Sequence, residues 1–469
     1  MGKRLIAILA LALVVGLFYG AAYAEVQNVK VSGDIKILGV ARNNFTLGNP
    51  GNVSLYGGDA NNSPSTGTAL STVKENDKSR FIATQTRVRV DADLTDNVMA
   101  TVRLINERVW TGESISSTDI DLDLAYVTLK EFLYSPLTLT LGRQEIRFGN
   151  QLVIGSSGTY NTNNAGPLNG LPSDLSVRNS FDALRATLNY DPLVVDVVYA
   201  KVRNANNVIA YNANASNDTD LFGVNASLDI TKMVNLQGYI WDRKNKAGTS
   251  IGAAADNEKD DLYTLGGLLT ITPIEGLKAS LESAWQLGRI KGTGATTVKE
   301  GRNAWALQGM LDYTFTKIKM MPSIGAGYTY LSGPGSGNRT GWDPMFYNEA
   351  LNPIAYAIFP FSNLSVINLR SSIKPMDDVT LTANYGNYRL VNTVATLTTP
   401  KTDVNGNRYT IAIDNGRRDL GNEFDLGVVY DYTEDVQFGL SGGMFIAGNA
   451  IRNDSRDATQ IIGSMKVTF

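Results

Sequence analysis

The sequence predicts an all-β fold, a transmembrane antiparallel β-barrel of about eighteen strands with short periplasmic turns and long extracellular loops. Three observations predict it. From residue 29 to the end, segments of roughly ten residues alternate apolar and polar side chains, the rhythm of a strand with one greasy and one wet face. No run of ~18 apolar residues follows residue 24, so only a closed barrel could satisfy the mature backbone inside lipid. The connections between segments alternate long and short without exception.

The N-terminus comes first. Lys3 and Arg4 precede an uncharged apolar run from Leu5 to Phe18, and Ala22-Tyr23-Ala24 supplies the small-x-small pattern of a cleavage site. The run is short for a membrane anchor. Residues 1–24 are therefore expected to be a signal peptide and 25–469 a single barrel domain, with the mature chain starting at Glu25.

The eighteen segments are 29–41, 80–94, 97–110, 119–131, 136–148, 181–191, 193–204, 219–231, 233–243, 260–272, 276–289, 302–316, 319–331, 362–374, 378–390, 422–433, 435–447 and 459–469. In 219–231, Phe222, Val224, Ala226, Leu228 and Ile230 share one face, opposite Gly223, Asn225, Ser227 and Asp229. In 276–289, Leu277, Ala279, Leu281, Trp285 and Leu287 share a face, as do Trp305, Leu307, Leu311, Tyr313 and Phe315 in 302–316. The same reading groups Phe424, Leu426, Val428, Tyr430 and Tyr432 in 422–433, and Val436, Phe438, Leu440, Met444 and Ile446 in 435–447. No Lys, Arg, Asp or Glu falls on these apolar sets, as a lipid-facing wall requires, because a charge there costs ~2–4 kcal/mol near the midplane. Tyr190, Phe315, Tyr330, Tyr432 and Phe469 fall at segment ends, where aromatic girdles lie.

The short connections, such as Thr95-Asp96, Asp191-Pro192, Thr231-Lys232 and Thr433-Glu434, carry turn chemistry. The long ones are 42–79, 111–118, 149–180, 205–218, 244–259, 290–301, 332–361, 391–421 and 448–458. Of these, 149–180 and 332–361 are candidates to fold over or into the pore. The last strand alternates Ile461, Gly463, Met465, Val467 and Phe469 on one face. An apolar strand ending in Phe resembles the signal read by the barrel-insertion machinery, which with outer-membrane lipid is an expected partner.

Composition limits the chemistry. There is no Cys, which removes disulfides, thiolate metal sites and a Cys nucleophile. There is no His, which removes His-dependent triads and imidazole ligands. The formal charge of −3 becomes more acidic once Lys3 and Arg4 leave with the signal peptide, so nucleic acid is not an expected partner. No enzyme activity and no cofactor are expected. Asp403-Val404-Asn405-Gly406-Asn407 lacks the closing acid of a calcium loop and reads as an Asn-Gly turn, and Asp256, Glu258, Asp260 and Asp261 read as a solvated loop.

A barrel of this size encloses a water-filled lumen unless it is plugged, and its polar faces line that lumen. The richest charge lies in the first third: Arg87, Arg89 and Asp91 on one strand, Arg103 and Glu107 on the next, Asp121 and Asp123, then Arg143, Glu145 and Arg147, then Arg185. On adjacent strands these would form a ladder of opposed charges along one wall, which biases the solutes that pass and also stiffens the barrel. One conflict is visible. Leu137, Leu139 and Leu141 share parity with Arg143, Glu145 and Arg147. Either a bulge near Gly142 reverses the face, or the charged end lies beyond the membrane.

Residues 142–155 read GRQEIRFGNQLVIG, just after DLDLAYVTLK, and resemble the signature region of the alginate export family of outer-membrane barrels. Arg178–Tyr190 (RNSFDALRATLNY) and Gly341–Phe346 (GWDPMF) are similar too. The resemblance implies an eighteen-stranded monomeric barrel for an anionic polysaccharide or small anionic solutes. It implies Arg87, Arg89, Arg103, Arg143, Arg147 and Arg185 as pore cations. This chain departs in placing Asp91, Glu107, Asp121, Asp123, Glu145 and Asp182 on the same wall, and in reading Asn150-Gln151 where the family often carries a charged step.

The expected function is a bacterial outer-membrane channel for passive passage or export of hydrophilic solutes, anionic solutes and polysaccharide included. The alternative is a structural or adhesive barrel that binds a partner through its external loops.

Overall fold

The computed structural model describes residues 27–48, 51–54, 77–110, 120–157, 171–203, 218–246, 259–291, 299–335, 341–401, 408–414, 416–452 and 456–469. The expected signal peptide, the Asp403–Asn407 turn and the acidic loop residues Asp256 and Glu258 lie outside these residues.

The strands are β1 (Asn28–Asn43), β2 (Gly51–Ser54), β3 (Lys78–Thr95), β4 (Val98–Val109), β5 (Asp121–Leu129), β6 (Leu137–Glu145), β7 (Ser180–Asn189), β8 (Leu193–Arg203), β9 (Asp218–Thr231), β10 (Val234–Lys246) and β11 (Lys259–Ile271). They continue as β12 (Leu277–Lys291), β13 (Lys299–Thr314), β14 (Ser323–Leu331), β15 (Leu364–Met376), β16 (Val379–Leu390), β17 (Thr396–Thr398), β18 (Arg408–Ala412), β19 (Asp419–Asp431), β20 (Val436–Ala447) and β21 (Ala458–Thr468). A single short helix, α1 (Pro353–Ile358), is present among the described residues.

All but β2, β17 and β18 form one 18-stranded sheet in which each strand pairs with the next in sequence. β1 pairs antiparallel with both β3 and β21, so the sheet closes on itself and has no edge. β2, β17 and β18 make a separate three-stranded sheet from two of the long loops, which the alternation did not reveal.

The alternating rhythm sets the two faces. Phe222, Leu236, Ile240, Leu265, Leu281, Trp285, Leu287, Leu311, Leu426 and Leu440 project outward and are exposed. Aromatic residues collect at both margins of this band. Near the short turns the Tyr134 and Tyr190 hydroxyls lie 2.8 Å apart, and Tyr432 packs on Phe438 with centroids 6.1 Å apart. Near the long loops Trp305 stacks on Tyr330 at 4.4 Å.

The packed core lies inside the barrel. Toward the long-loop end the inner wall turns apolar: Phe181, Ala183, Val198, Ala200, Leu221, Trp241, Leu331, Leu390 and Phe445 are buried. Against them pack Ile146, Phe148, Leu152 and Ile154 from one long loop, and Trp342, Phe346, Ile354, Ile358 and Phe359 from another. Each such side chain contributes ~1.5–3 kcal/mol on burial, so these loops are a fixed inner layer.

Most boundaries shift by one to three residues from the alternation, and two shifts have a clear local cause. β14 begins at Ser323 rather than 319, because the chain turns through Met320 and Met321, both with positive φ (77° and 39°). β6 ends at Glu145 rather than 148, because the chain there leaves the wall and enters the lumen.

Candidate functional site: the charged inner wall and its plug

On β3, Arg87 and Arg89 face inward. The Arg87 guanidinium is bidentate to Asp34 on β1, with Nη2–Oδ2 at 2.6 Å and Nε–Oδ2 at 3.0 Å. Arg89 pairs along its own strand with Asp91 at 2.7 Å, and Asp91 also accepts from Thr101 Oγ1 at 2.7 Å. Arg103 reaches Asp123 through Nε and Glu145 through Nη2, both at 2.5 Å. Arg147 donates to the second oxygen of Glu145 at 3.0 Å. Arg185 donates to Asp196 on β8 at 2.8 Å and lies over the Phe148 ring at 5.3 Å. Each of these arginines therefore has a carboxylate within hydrogen-bond reach, and the wall is nearly neutral along its length.

Glu107 and Asp121 also face inward, but they anchor a loop. Glu107 accepts from Gln85 at 2.8 Å, from Ser176 Oγ at 2.6 Å, from the Val177 amide at 2.9 Å and from Arg178 at 3.1 Å. Asp121 pairs with the other side of Arg178. Arg42 and Asp174 make a second buried clamp close by. Leu171 and Leu175 then cover Leu38, Val40 and Ala83 of the wall.

Arg143 corrects the expectation. The register runs unbroken through Gly142 to both neighbours, pairing Leu141 with Val127 and Leu184, and Arg143 with Ala125 and Asp182. No bulge reverses the face. Asp182 lies between Phe181 and Ala183, which are buried inside, so it points outward, and Arg143 meets it there at 2.8 Å. Glu145 reaches the interior only because the chain leaves the wall at that point.

The plug has two limbs. Ile154 pairs in parallel with Phe346, the Phe346 amide donates to Val153 O at 3.0 Å, and the Gly155 amide donates to Phe346 O at 2.7 Å. Carboxylates fix both limbs. Glu282 accepts from the Asn150 amide at 2.7 Å and from the Tyr239 hydroxyl at 2.8 Å. Gly149 adopts φ +59°, and a Cβ there would stand 2.5 Å from Glu282 Oε1, so the approach requires glycine. Asp343 accepts from Arg243 at 2.9 and 2.7 Å and from Arg302 at 2.5 Å. Burial alone would raise its carboxyl, but the guanidinium groups of Arg243 and Arg302 outweigh that and hold it well below the usual carboxylate range. Glu349 makes no ion pair among the described residues, and the Arg370 charge lowers it less than burial raises it. Burial pushes its carboxyl up to about 7, against a hydrogen bond from Gln308 at 2.6 Å, and the nearby Glu282 charge adds to the rise. Glu423 accepts the Ile354 and Ala355 amides at 2.7 Å each, seating α1 on the wall.

A family model for alginate export matches residues 59–463. The chain belongs to the alginate export family. It is an outer-membrane channel protein, and its motif stretches can now be placed. The strand-to-loop stretch 142–155, the Arg178–Tyr190 stretch and the Gly341–Phe346 stretch converge on the plug: Ile154 bridges Phe346, and Phe181 meets the Phe346 ring edge-on at 5.6 Å. The aromatic-Gly step of this family member is Phe148-Gly149, whose ring packs on Trp241 and whose glycine admits the Glu282 carboxylate.

Similar solved structures include three from Pseudomonas aeruginosa. OccK11 (OpdR) aligns at 11% identity and TM-score 0.52, covering 94% of this chain and 96% of that one. OpdQ aligns at 13% and 0.52, covering 95% and 98%. OccK5 (OpdH) aligns at 12% and 0.52, covering 95% and 99%. At such identities the likeness concerns the fold alone. Among curated proteins there is no match.

The sequence reading missed four features of this alginate export family barrel: Asp34, Asp196, the Asp343 clamp and a lysine pair. Lys36 on β1 stands directly opposite Lys466 on β21. Both face inward, since their neighbours in the same parity, Asp34, Leu38, Ile462 and Gln460, do so. Arg87 and Asp34 are the other charges acting on Lys36. Asp34 is already bound to Arg87, and among the described residues neither lysine makes an ion pair or hydrogen bond.

Proposed function

We propose that the barrel is a passive, constricted channel for hydrophilic solutes that favours anions, polysaccharide carboxylates among them. The observation that carries this is the Lys36–Lys466 pair. Like charges directly opposite on adjacent strands destabilise a sheet, and the acid acting on Lys36, Asp34, is already engaged by Arg87. The arrangement makes sense if the compensating charge is a passing solute. The arginine ladder, being paired, supplies hydration and hydrogen bonds along the track rather than net charge. The pair lies on the short-turn side of Leu38 and Val40, which the 171–175 segment covers, so a solute that has passed the constriction meets it next.

The test is reversal-potential measurement in planar bilayers with Lys36→Gln and Lys466→Gln combined. At about 8 Å each charge acts on an ion with ~0.5 kcal/mol in water before screening, so losing both lowers the chloride-to-potassium permeability ratio by about threefold. Arg389→Gln, on the outer face, leaves it unchanged. An unaltered ratio in the double variant removes the pair from the reading, and no conductance in the wild type returns the adhesive alternative.

A further inference from the structure

The outer wall holds a row of charge that the channel reading does not use. Starting at Arg143 on β6, the residue paired across each successive strand is Asp182 on β7, then Lys201 on β8 and Asp220 on β9. The row goes on through Lys244 on β10 and Asp261 on β11 to Arg289 on β12. One residue per strand alternates in sign over seven adjacent strands. Arg143 binds Asp182 at 2.8 Å, and Lys201 binds Asp220 at 2.8 Å, with the Tyr199 hydroxyl also donating to Asp220 at 3.1 Å. Lys244 adds Asp242 of its own strand at 3.1 Å. The lysine side chains remain open, Lys201 at 49% and Lys244 at 50%, and Arg289 is exposed at the end of the row.

Apart from Asp242 on β10, this row is the first charged one above the lipid-facing band. Two residues nearer the short turns on the other six strands stand Leu141, Leu184, Tyr199, Phe222, Tyr263 and Leu287. The wall beneath it is also low on one side. β6, β7 and β8 have 9, 10 and 11 residues, against 15 in β12. From Leu137 to Arg143 the rise is about 15 Å at ~3.3 Å per residue and a tilt near 40°, well short of the ~25 Å apolar band of such barrels. Only Leu137, Leu139 and Leu141 separate Arg143 from the short turn on that face. A full-thickness hydrocarbon layer would submerge the Arg143–Asp182 pair.

We propose that this row seats phosphorylated lipid headgroups of the outer leaflet and draws them down along β6–β8, thinning the bilayer there. The cations are spaced every second strand, about 9–10 Å apart, so that a headgroup with two phosphates spans neighbouring ones. Lys201 and Lys244 contact the phosphates directly. The intervening aspartates keep the cations extended along the surface. The leucines and aromatic rings of the row below continue into the lipid-facing wall and receive the acyl chains.

The probe is bisphosphorylated lipid A against phosphatidylcholine of matched chain length. Full-length barrel is reconstituted in nanodiscs of the two lipids in equal amounts, and the lipid retained after detergent extraction is quantified by native mass spectrometry. The wild type retains lipid A at least tenfold over phosphatidylcholine, Lys201→Gln with Lys244→Gln drops that preference below threefold, and Arg389→Gln on the opposite side keeps it. Heat-modifiable migration on gels confirms that each variant is folded. Equal retention of the two lipids by the wild type, or an unchanged preference in the double variant, overturns the proposal. So does a stable dimer that forms in the nanodiscs and is lost on the same substitutions, since the row would then seat a second copy.

Discussion

Replacing Asp343 with Asn isolates the clamp that holds the plug. The wild-type carboxylate receives three guanidinium hydrogen bonds, from Arg243 at 2.9 and 2.7 Å and from Arg302 at 2.5 Å. It also accepts the Met345 amide at 2.8 Å, while Gln286 bonds both its amide and its carbonyl at 2.8 Å. Asparagine keeps the shape and the Gln286 contacts but removes the charge. The two arginines then lose this counter-charge, with side chains only 13% and 5% exposed. Breaking a buried pair in this way costs ~3–5 kcal/mol. Seating of the whole limb survives, because Ile354, Ile358 and Phe359 each hold it by ~1.5–3 kcal/mol. The loss is therefore local to residues 341–349. Amide hydrogen exchange on the reconstituted barrel measures it: opening at Trp342, whose amide donates to Ser332 O at 2.8 Å, rises by about two to three decades at ~1.4 kcal/mol per tenfold. The Phe359 amide, bonded to Ala355 O at 2.8 Å in α1, stays within a few-fold. A change under tenfold at Trp342 in a folded variant would refute the clamp as a source of rigidity.

Other predictions concern pH and backbone shape. Because the Asp343 carboxyl is lowered, the stability it contributes is present above its unfolded value and is lost only as pH falls through the lowered one, so the clamp holds at pH 4–5 where free carboxylates begin to protonate. Glu349 runs the other way: its carboxyl rises from 4.5 to about 7, so its contribution is present below 4.5 and is lost as pH climbs through about 7. Protection of the Asn348 amide, corrected for intrinsic exchange, should fall by about tenfold or more across that window, and Glu349→Gln should flatten the profile. Gly142 has φ +121° and its Cβ position meets the Ala125 carbonyl, so Gly142→Ala should destabilise the barrel by at least ~1–2 kcal/mol. Gly463, with open space around it, should tolerate Ala without a shift in the heat-modifiability midpoint.

The strands were legible because lipid imposes a strict rule on every second residue, and a rule of period two needs no knowledge of neighbours. Phe222, Trp285, Trp305, Leu426 and Leu440 could be placed outward one strand at a time, and all are exposed there. The plug was legible only as loop length. Its apolar residues, Trp342, Phe346, Ile354 and Phe359, have no period, because they pack as irregular chain inside a cylinder. What marked the stretches 142–155, 178–190 and 341–346 was their text, and their meeting in one place explains why a motif there reads as a unit.

The pairing of charges is a different kind of information. Parity tells which face a side chain takes, but not the register that sets it opposite a partner. Arg87 finds Asp34, not Asp91 or Glu107, because β1 and β3 are neighbours across a long loop and align those two residues. Lys36 meets Lys466 only because the first and last strands close the cylinder, a fact that no local pattern encodes. Arg143 tests the distinction. Its shared parity with Leu137, Leu139 and Leu141 was readable, and it pointed outward all along. The pull toward the lumen came from grouping it with Glu145 and Arg147, as if strand and loop were one element. Where a wall ends early, parity stops carrying information at the last paired residue, and here that residue is Glu145. The short wall that leaves Arg143 outside is thus the same feature that frees Glu145 and Arg147 to enter the channel, so outer charge and inner charge on this strand have a single structural cause.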